Sequence, residues 1–133
     1  MNDPDLIRAD IVGRLGAVLP GRAFMVPPTS GRYVTPSLFV EQITIGGDMT
    51  EPVGTFPVWV VTDGSVEAQI EAHDRIVWNT WLALYPLSTR LVARPVVLAG
   101  LRATVVEADI PIDAFGMCGA PDPAPYQLAT IYR

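Results

Sequence analysis

The segment from Phe56 to Pro86 changes from one hydrophobic period to another, and this change limits what the chain can fold into. "FPVWVVT" has a continuous apolar run from Val58 to Val61, which is typical of a strand buried on both faces. The following "DGSVEAQIEAHDRIVWNTWLALYP" has apolar residues at helical spacing, with a cap at Asp63 or Ser65 and a stop at Pro86. A buried strand that leads into an amphipathic helix predicts a helix packed on a sheet.

The flanking segments predict a second helix and further strands. "NDPDLIRADIVGRLGAVLPG" begins with the N-cap residue Asp3 followed by Pro4, and its apolar residues form one helical stripe. The predicted strands are "RAFMV", "SLFVEQITI", "RLVARPVVLAG", "LRATVVEADI" and the final "YQLATIYR". Pro95 confines its strand to an edge or a bulge. This order predicts an α+β fold, with two helices packed on one face of a mainly antiparallel four- to five-stranded sheet.

Length and composition indicate a single folded domain over residues 1–133. The chain is 50% hydrophobic and only 17% charged, which argues against disorder. No apolar run approaches the roughly 18 residues that cross a bilayer, and "MNDPDLIRAD" does not have the pattern of a secretory signal. The single cysteine, Cys118, cannot form an internal disulfide, which suits a reducing cytoplasm. We expect no membrane partner.

The charge pattern argues against tight DNA binding. The formal net charge is −5, and the nine cationic residues are scattered along the chain. All nine are arginines, an Arg-only usage typical of a GC-rich genome and also suited to ion pairs at interfaces. Sequence-independent DNA binding requires clustered cations that displace counterions from the phosphates.

The helix that ends near Pro86 has two apolar faces. At about 100° per residue, one face forms a core stripe. This stripe contains Val66, Ile70, His73, Val77, Trp81 and Leu84. A second sector begins acidic, with Glu67, Glu71 and Asp74, and ends apolar, with Trp78, Leu82 and Tyr85.

Two interpretations account for the second apolar face. In the first, Trp78, Leu82 and Tyr85 lie under the N-terminal helix or the sheet edge and belong to the core. In the second, they form a subunit contact, in which an aromatic anchor is bordered by charges. Both interpretations require that something covers these residues, because three large apolar side chains in water are an aggregation hazard.

The search for catalytic residues predicts neither an enzyme nor a cofactor or metal site. His73 is the only histidine and lies on the core stripe, where a hydrogen-bonded, half-buried role is expected. Cys118 lacks the pattern of a cysteine hydrolase, and no metal-binding or nucleotide-binding motif occurs. The carboxylates Glu107, Asp109 and Asp113 suit a solvated strand edge that resists aggregation, although such clusters can also perform acid–base chemistry or bind calcium.

The order of elements resembles a known family. The quoted features are a helix ending in "LPGR", the strand "PSLFVEQITIGG", the strand–helix unit "FPVWVVTDGSVEAQIEAHDRIVWNTWLAL" and the closing strand "APYQLATIYR". Together they resemble the tail terminator, or tail completion, proteins of long-tailed bacteriophages. The resemblance lies in element order over most of the chain, and "IPIDAFGMCGAPDPAP" is longer than the family pattern suggests.

The resemblance implies a structural virion protein in the tail and neck region, assembled in the bacterial host cytoplasm. Such proteins form a ring, usually a hexamer, that caps the head-proximal end of the tail tube and stops its polymerisation. The implied partners are other copies of the chain, the major tail tube protein and the head-completion or stopper protein, while genomic DNA passes through the lumen. An acidic wall suits DNA passage without adhesion.

The same hypothesis assigns surfaces to these contacts. A ring needs two different patches on each subunit, and Trp78, Leu82 and Tyr85 are the candidate for one of them. Two long loops, Gly46 to Thr55 and Pro111 to Pro125, are the candidates for docking to neighbouring rings. Their candidate contact residues are Gly46, Gly47, Asp48, Met49, Phe115 and Met117.

Three alternatives remain open at this stage. A head–tail connector or stopper subunit would share the size and the ring symmetry. A small-ligand-binding or enzymatic α+β domain would use an apolar cleft near His73. A stand-alone dimer would pair two copies of the tryptophan face by a two-fold axis.

Overall fold

The computed structural model describes residues 3–25, 34–47, 51–63, 69–98 and 100–112. Two helices and six strands lie in these ranges. In chain order they are α1 (Pro4–Val18), β1 (Ala23–Phe24), β2 (Ser37–Val40), β3 (Thr44–Gly47), β4 (Pro52–Asp63), α2 (Gln69–Leu84), β5 (Arg90–Leu98) and β6 (Leu101–Pro111). A short 3₁₀ helix, Tyr85–Leu87, follows α2. The predicted final strand "YQLATIYR" lies outside the described residues.

The six strands form one mixed sheet in the order β1-β2-β4-β6-β5, and β3 pairs with β4 beside β2. Only β1 and β2 are parallel among the described pairs, so the sheet is mainly antiparallel. The long hairpin of β5 and β6 and the pairing of β6 along all of β4 make the body of the sheet. The predicted α+β class is confirmed, with six strands rather than four or five.

One face of the sheet carries both helices. Alternate residues of the strands point to this face, as the two-residue period of a strand requires. They pack against Ile7, Ile11 and Leu15 of α1 and Leu84 of α2, all buried. The strand residues of this core are Leu38, Val40, Phe56, Val58, Val60, Val106, Ala108 and Ile110. The predicted stripe of α1 is therefore confirmed, with Val18 packed at its margin.

The opposite face has a smaller apolar cluster built on Phe39, Val61 and Ala103. Phe39 stacks on Trp59, with ring centroids 5.7 Å apart and planes 9° from parallel. The Trp59 indole Nε1 donates a hydrogen bond of 2.8 Å to Glu41 Oε1. Because strand side chains alternate, the continuous apolar run from Val58 to Val61 supplies both clusters.

The predicted strand "SLFVEQITI" is in fact two strands. β2 and β3 lie along the same edge of β4, opposite 58–61 and 52–55 respectively, and residues 41–43 interrupt them. The Arg8 guanidinium of α1 fills this interruption, donating to the carbonyl oxygens of Met25, Val40 and Glu41 at 2.9, 2.9 and 3.1 Å. The break in the strand is therefore also the point where α1 is hydrogen-bonded to the sheet.

Within the predicted loop from Gly46 to Thr55, residues 46–47 and 52–55 lie in two paired strands, so the prediction was wrong for them; residues 48–50 lie outside the described residues. Gly46 and Gly47 lie in β3, and β4 begins at Pro52. Gly47 has a φ of +88°, which glycine adopts without strain, and a Cβ at Gly54 would lie 2.8 Å from Ile112 Cδ1. Gly47 thus supplies a backbone conformation that other residues rarely adopt, and Gly54 supplies close packing within a strand. Sequence propensity assigns glycines in either setting to a loop.

Candidate interaction surface

The orientation of α2 is set by its core stripe. Leu84 is fully buried, Trp81 and Val77 pack against the core, and His73 is only 2% exposed. Ile70 is the exception to the predicted stripe, because it is exposed in the first turn of α2. Val66 lies outside the described residues. The helix therefore turns its opposite side away from the sheet.

His73 is a structural residue held from two sides. Hydrogen bonds of 2.8 Å join its Nδ1 to Thr62 Oγ1 of β4 and its Nε2 to Thr104 Oγ1 of β6. Burial lowers the pKa of His73 below its ordinary 6.5; the nearby Asp74 opposes this shift, and Arg102 adds to it. Both ring nitrogens are hydrogen-bonded to threonines, so the predicted hydrogen-bonded role is confirmed, but the ring is buried rather than half-buried.

The second apolar sector, on α2 and the first residue of the following 3₁₀ helix, is exposed. Trp78, Leu82 and Tyr85, which we name the aromatic face, are 58%, 50% and 67% exposed. Neither α1 nor a described strand of the sheet covers them, so the interpretation that they lie under α1 or the sheet edge is wrong for the described part of the chain. The physical reason is the direction in which these side chains point. The stripe centred on Val77 packs on the sheet, and the aromatic face lies about 100° around the helix from it.

Charged residues border the aromatic face. Glu71 and Asp74 are exposed and occupy the same sector one to two turns earlier, with Arg75 on the flank. The ion pairs in the described part of the chain join Arg14 to Asp10, Arg90 to Asp109 and Arg94 to Glu107, and so involve none of these three side chains. The border therefore has a net negative charge.

The β5 edge lies next to the end of the aromatic face. Tyr85 and Trp81 line a shallow cleft of about 90 Å³ together with Arg90 and Leu91 at the start of β5. The outer edge of β5 pairs with no described strand, and Pro95 in its middle lacks the N–H that another strand would need. Pro95 thus occupies the predicted edge position.

The acidic residues of β6 are paired with arginines of β5. Arg94 Nε lies 3.5 Å from Glu107 Oε1, and Arg90 Nη1 lies 4.0 Å from Asp109 Oδ2. Thr55 also donates a hydrogen bond of 2.8 Å to Asp109 Oδ1. These contacts agree with a strand-surface role for Glu107 and Asp109. Asp113 lies outside the described residues.

A second apolar surface lies at the other end of the sheet, and the sequence did not indicate it. Phe24 and Met25, at and just after the outermost strand β1, are 40% and 43% exposed. We name these two residues the β1 edge. A strand of two residues is too short to show the alternation by which strand faces are recognised.

The remaining predicted residues are either relocated or not described. Gly46 and Gly47 lie in the exposed strand β3 rather than in a loop. Asp48, Met49, Phe115, Met117 and Cys118 lie outside the described residues. The site assignments of the aromatic face and of these docking elements therefore remain predictions.

One larger cleft lies beside the first half of α2. It has a volume of about 380 Å³ and is lined by Thr35, Pro36, Thr62, Asp63, Ala72 and Ile76. His73 is not among its lining residues. Within the described ranges, no group of three or more histidine, cysteine or acidic side chains could hold a metal ion. No described helix is long and apolar enough to span a membrane.

Comparison with known proteins finds similarity to solved structures. No protein-family model and no curated protein matches the sequence. The fold is similar to that of a chain in the virion of a native gene transfer agent particle, with a TM-score of 0.58 and 16% sequence identity. The alignment covers 81% of this chain and 95% of that chain. At this identity the similarity shows a shared fold.

Proposed function

We propose that this chain is a structural virion protein of a tailed phage that forms a ring, with six subunits in the expected case, on the head-proximal end of the tail tube. The ring stops tube polymerisation and joins the tail to the head-completion proteins, and DNA passes through its lumen. The observation that carries the proposal is the fold similarity to a virion chain over 95% of that chain's length.

The surface chemistry supports assembly over catalysis. Trp78, Leu82 and Tyr85 are each at least half exposed, and a cluster of large apolar side chains rimmed by charged residues is typical of an interaction surface. His73 uses both ring nitrogens to tie α2 to the sheet. The net charge of −5 gives phosphates little to bind, as a DNA conduit requires.

The test is capping of tail tubes assembled from the major tail protein of the same virus. Adding the purified chain should stop tube growth and leave a ring visible by electron microscopy at one end only. Rings that bind head connectors while leaving tube growth unchanged would instead support the stopper function, which shares the fold and the ring symmetry. Failure to bind either structure would contradict both proposals.

Trp78→Asp should abolish capping while the chain stays folded. The substitution places a charge in the centre of the aromatic face, where desolvation would oppose any subunit contact. Ala9→Asp, on the exposed side of α1, is the matched control and should cap tubes normally. Circular dichroism checks the fold of each variant. A Trp78→Asp variant that unfolds, or that still caps tubes, would contradict a contact through this face.

A further inference from the structure

The aromatic face and the β1 edge lie at opposite edges of one sheet. The strand order begins at β1 and ends at β5, and the aromatic face adjoins β5 through the cleft shared by Tyr85 and Arg90. Phe24 and Met25 belong to the other end. Different patches on opposite sides of a subunit give a heterologous contact, which closes into a ring when the rotation allows it.

We propose that the aromatic face of one copy packs against the β1 edge of the next copy. This inference rests on the proposed function, because it names the contact by which the ring would close. A second copy is the occupant favoured by the structure, since one chain carries both apolar surfaces on sides where neither can reach the other. Side-chain packing, rather than strand pairing, makes the contact, because Pro95 interrupts the outer edge of β5.

Charge complementarity supports the same pairing. Glu71 and Asp74 give the border of the aromatic face its net negative charge. Arg22, immediately before β1, donates from Nη1 to the carbonyl oxygens of Thr35 and Pro36 at 3.3 and 3.4 Å and forms no ion pair with a described carboxylate. Its positive charge is thus available to the acidic border of a neighbour.

Charge also disfavours the two-fold dimer. An isologous contact through the aromatic face would bring Glu71 and Asp74 of both copies to one interface, where like charges repel. A stable interface buries about 800 Å² on each partner, so the contact must extend from the aromatic face onto the surrounding polar rim.

Site-directed crosslinking tests the contact. In a Cys118→Ser background, Met25→Cys marks the β1 edge and Asn79→Cys marks the exposed residue after Trp78. The double variant, treated with a short flexible bis-maleimide, should give a ladder of dimers, trimers and larger species. A mixture of the two single variants should give dimers only, and each single variant alone should stay monomeric. The pair Ala9→Cys and Asn79→Cys controls for random collision.

Performing the reaction with and without tail tubes separates this inference from the proposed function. Dimers from Asn79→Cys alone would show an isologous contact and overturn the inference. Tube capping by the double variant without a ladder would also overturn it, and would leave the proposed function standing. A ladder obtained with a chain that never caps tubes would support the contact and contradict the proposed function.

Discussion

The two apolar sides of α2 are built from the same residue types but meet different surroundings. Trp81 and Leu84 pack into the core beneath the helix, whereas Trp78 and Leu82, three and two residues earlier, are at least half exposed. A single apolar stripe is sufficient to dock a helix on a sheet. The second side therefore contributes little to the fold of the isolated chain, and the proposed subunit contact would account for its apolar content.

The largest expected difference in stability is between alanine substitutions of two leucines in this helix. Leu84→Ala should lower the free energy of unfolding by about 2–5 kcal/mol, because the fully buried side chain leaves a cavity. Leu82→Ala, the matched control, should change it by about 0.5 kcal/mol or less, because half of that side chain is already in water. Urea denaturation followed by circular dichroism measures both. Equal losses would show that the aromatic face belongs to the folding core.

Valine substitutions of two buried threonines should also differ in their effect on stability. Thr62→Val removes the hydroxyl that bonds His73 Nδ1 and leaves a buried ring nitrogen unpaired, which should cost about 1–3 kcal/mol. Thr80→Val should be neutral or stabilising, because Thr80 Oγ1 is buried with no hydrogen-bond partner among the described residues. Urea midpoints decide between them. A larger loss for Thr80→Val would mean that its hydroxyl does have a partner.

The side of α2 that forms the core was predictable, and the reason is local. Its residues repeat at the helical period, and the strand Val58 to Val61 beneath it is apolar without interruption. The edge position of Pro95 follows equally from one residue, because proline has no N–H to give. Such features need no knowledge of distant residues.

The remaining features depend on contacts between distant residues. At the break between β2 and β3, the carbonyl oxygens of Val40 and Glu41 accept hydrogen bonds from Arg8, which is more than 30 positions away in the sequence. Gly54 packs closely against Ile112 and Phe56, whose side-chain atoms lie 2.8 and 2.9 Å from where a Cβ would stand. Strand β1 exists only through the parallel pairing of its two residues with β2. Hydrophobic periodicity contains no information about these contacts.

The pH dependence of stability reports on the core side through His73. Because burial lowers the pKa of folded His73, the unfolded chain binds the proton more tightly. The contribution of neutral His73 to the free energy of unfolding is fully present above pH 6.5. It is lost as the pH falls from 6.5 towards the pKa of folded His73, by at most about 1.4 kcal/mol per pH unit. Urea denaturation at a series of pH values measures this slope. His73→Gln should reduce it, and an unchanged slope would assign it to the carboxylates.

The smallest expected effect is a change in the pKa of buried His73 caused by a charge on the exposed side of the helix. Asp74 lies on the acidic border of the aromatic face, yet its charge raises the pKa of His73 against the effect of burial. Asp74→Asn should therefore lower this pKa further, whereas the matched substitution Glu71→Gln should leave it unchanged. Because His73 is the only histidine, its imidazole signal can be followed by NMR without overlap. Added salt should shift the wild-type titration in the same direction as Asp74→Asn, since Asp74 is exposed and its field is screened. If His73 has the same pKa in both variants, the charges that border the aromatic face do not affect its titration. The two sides of α2 are then electrostatically independent.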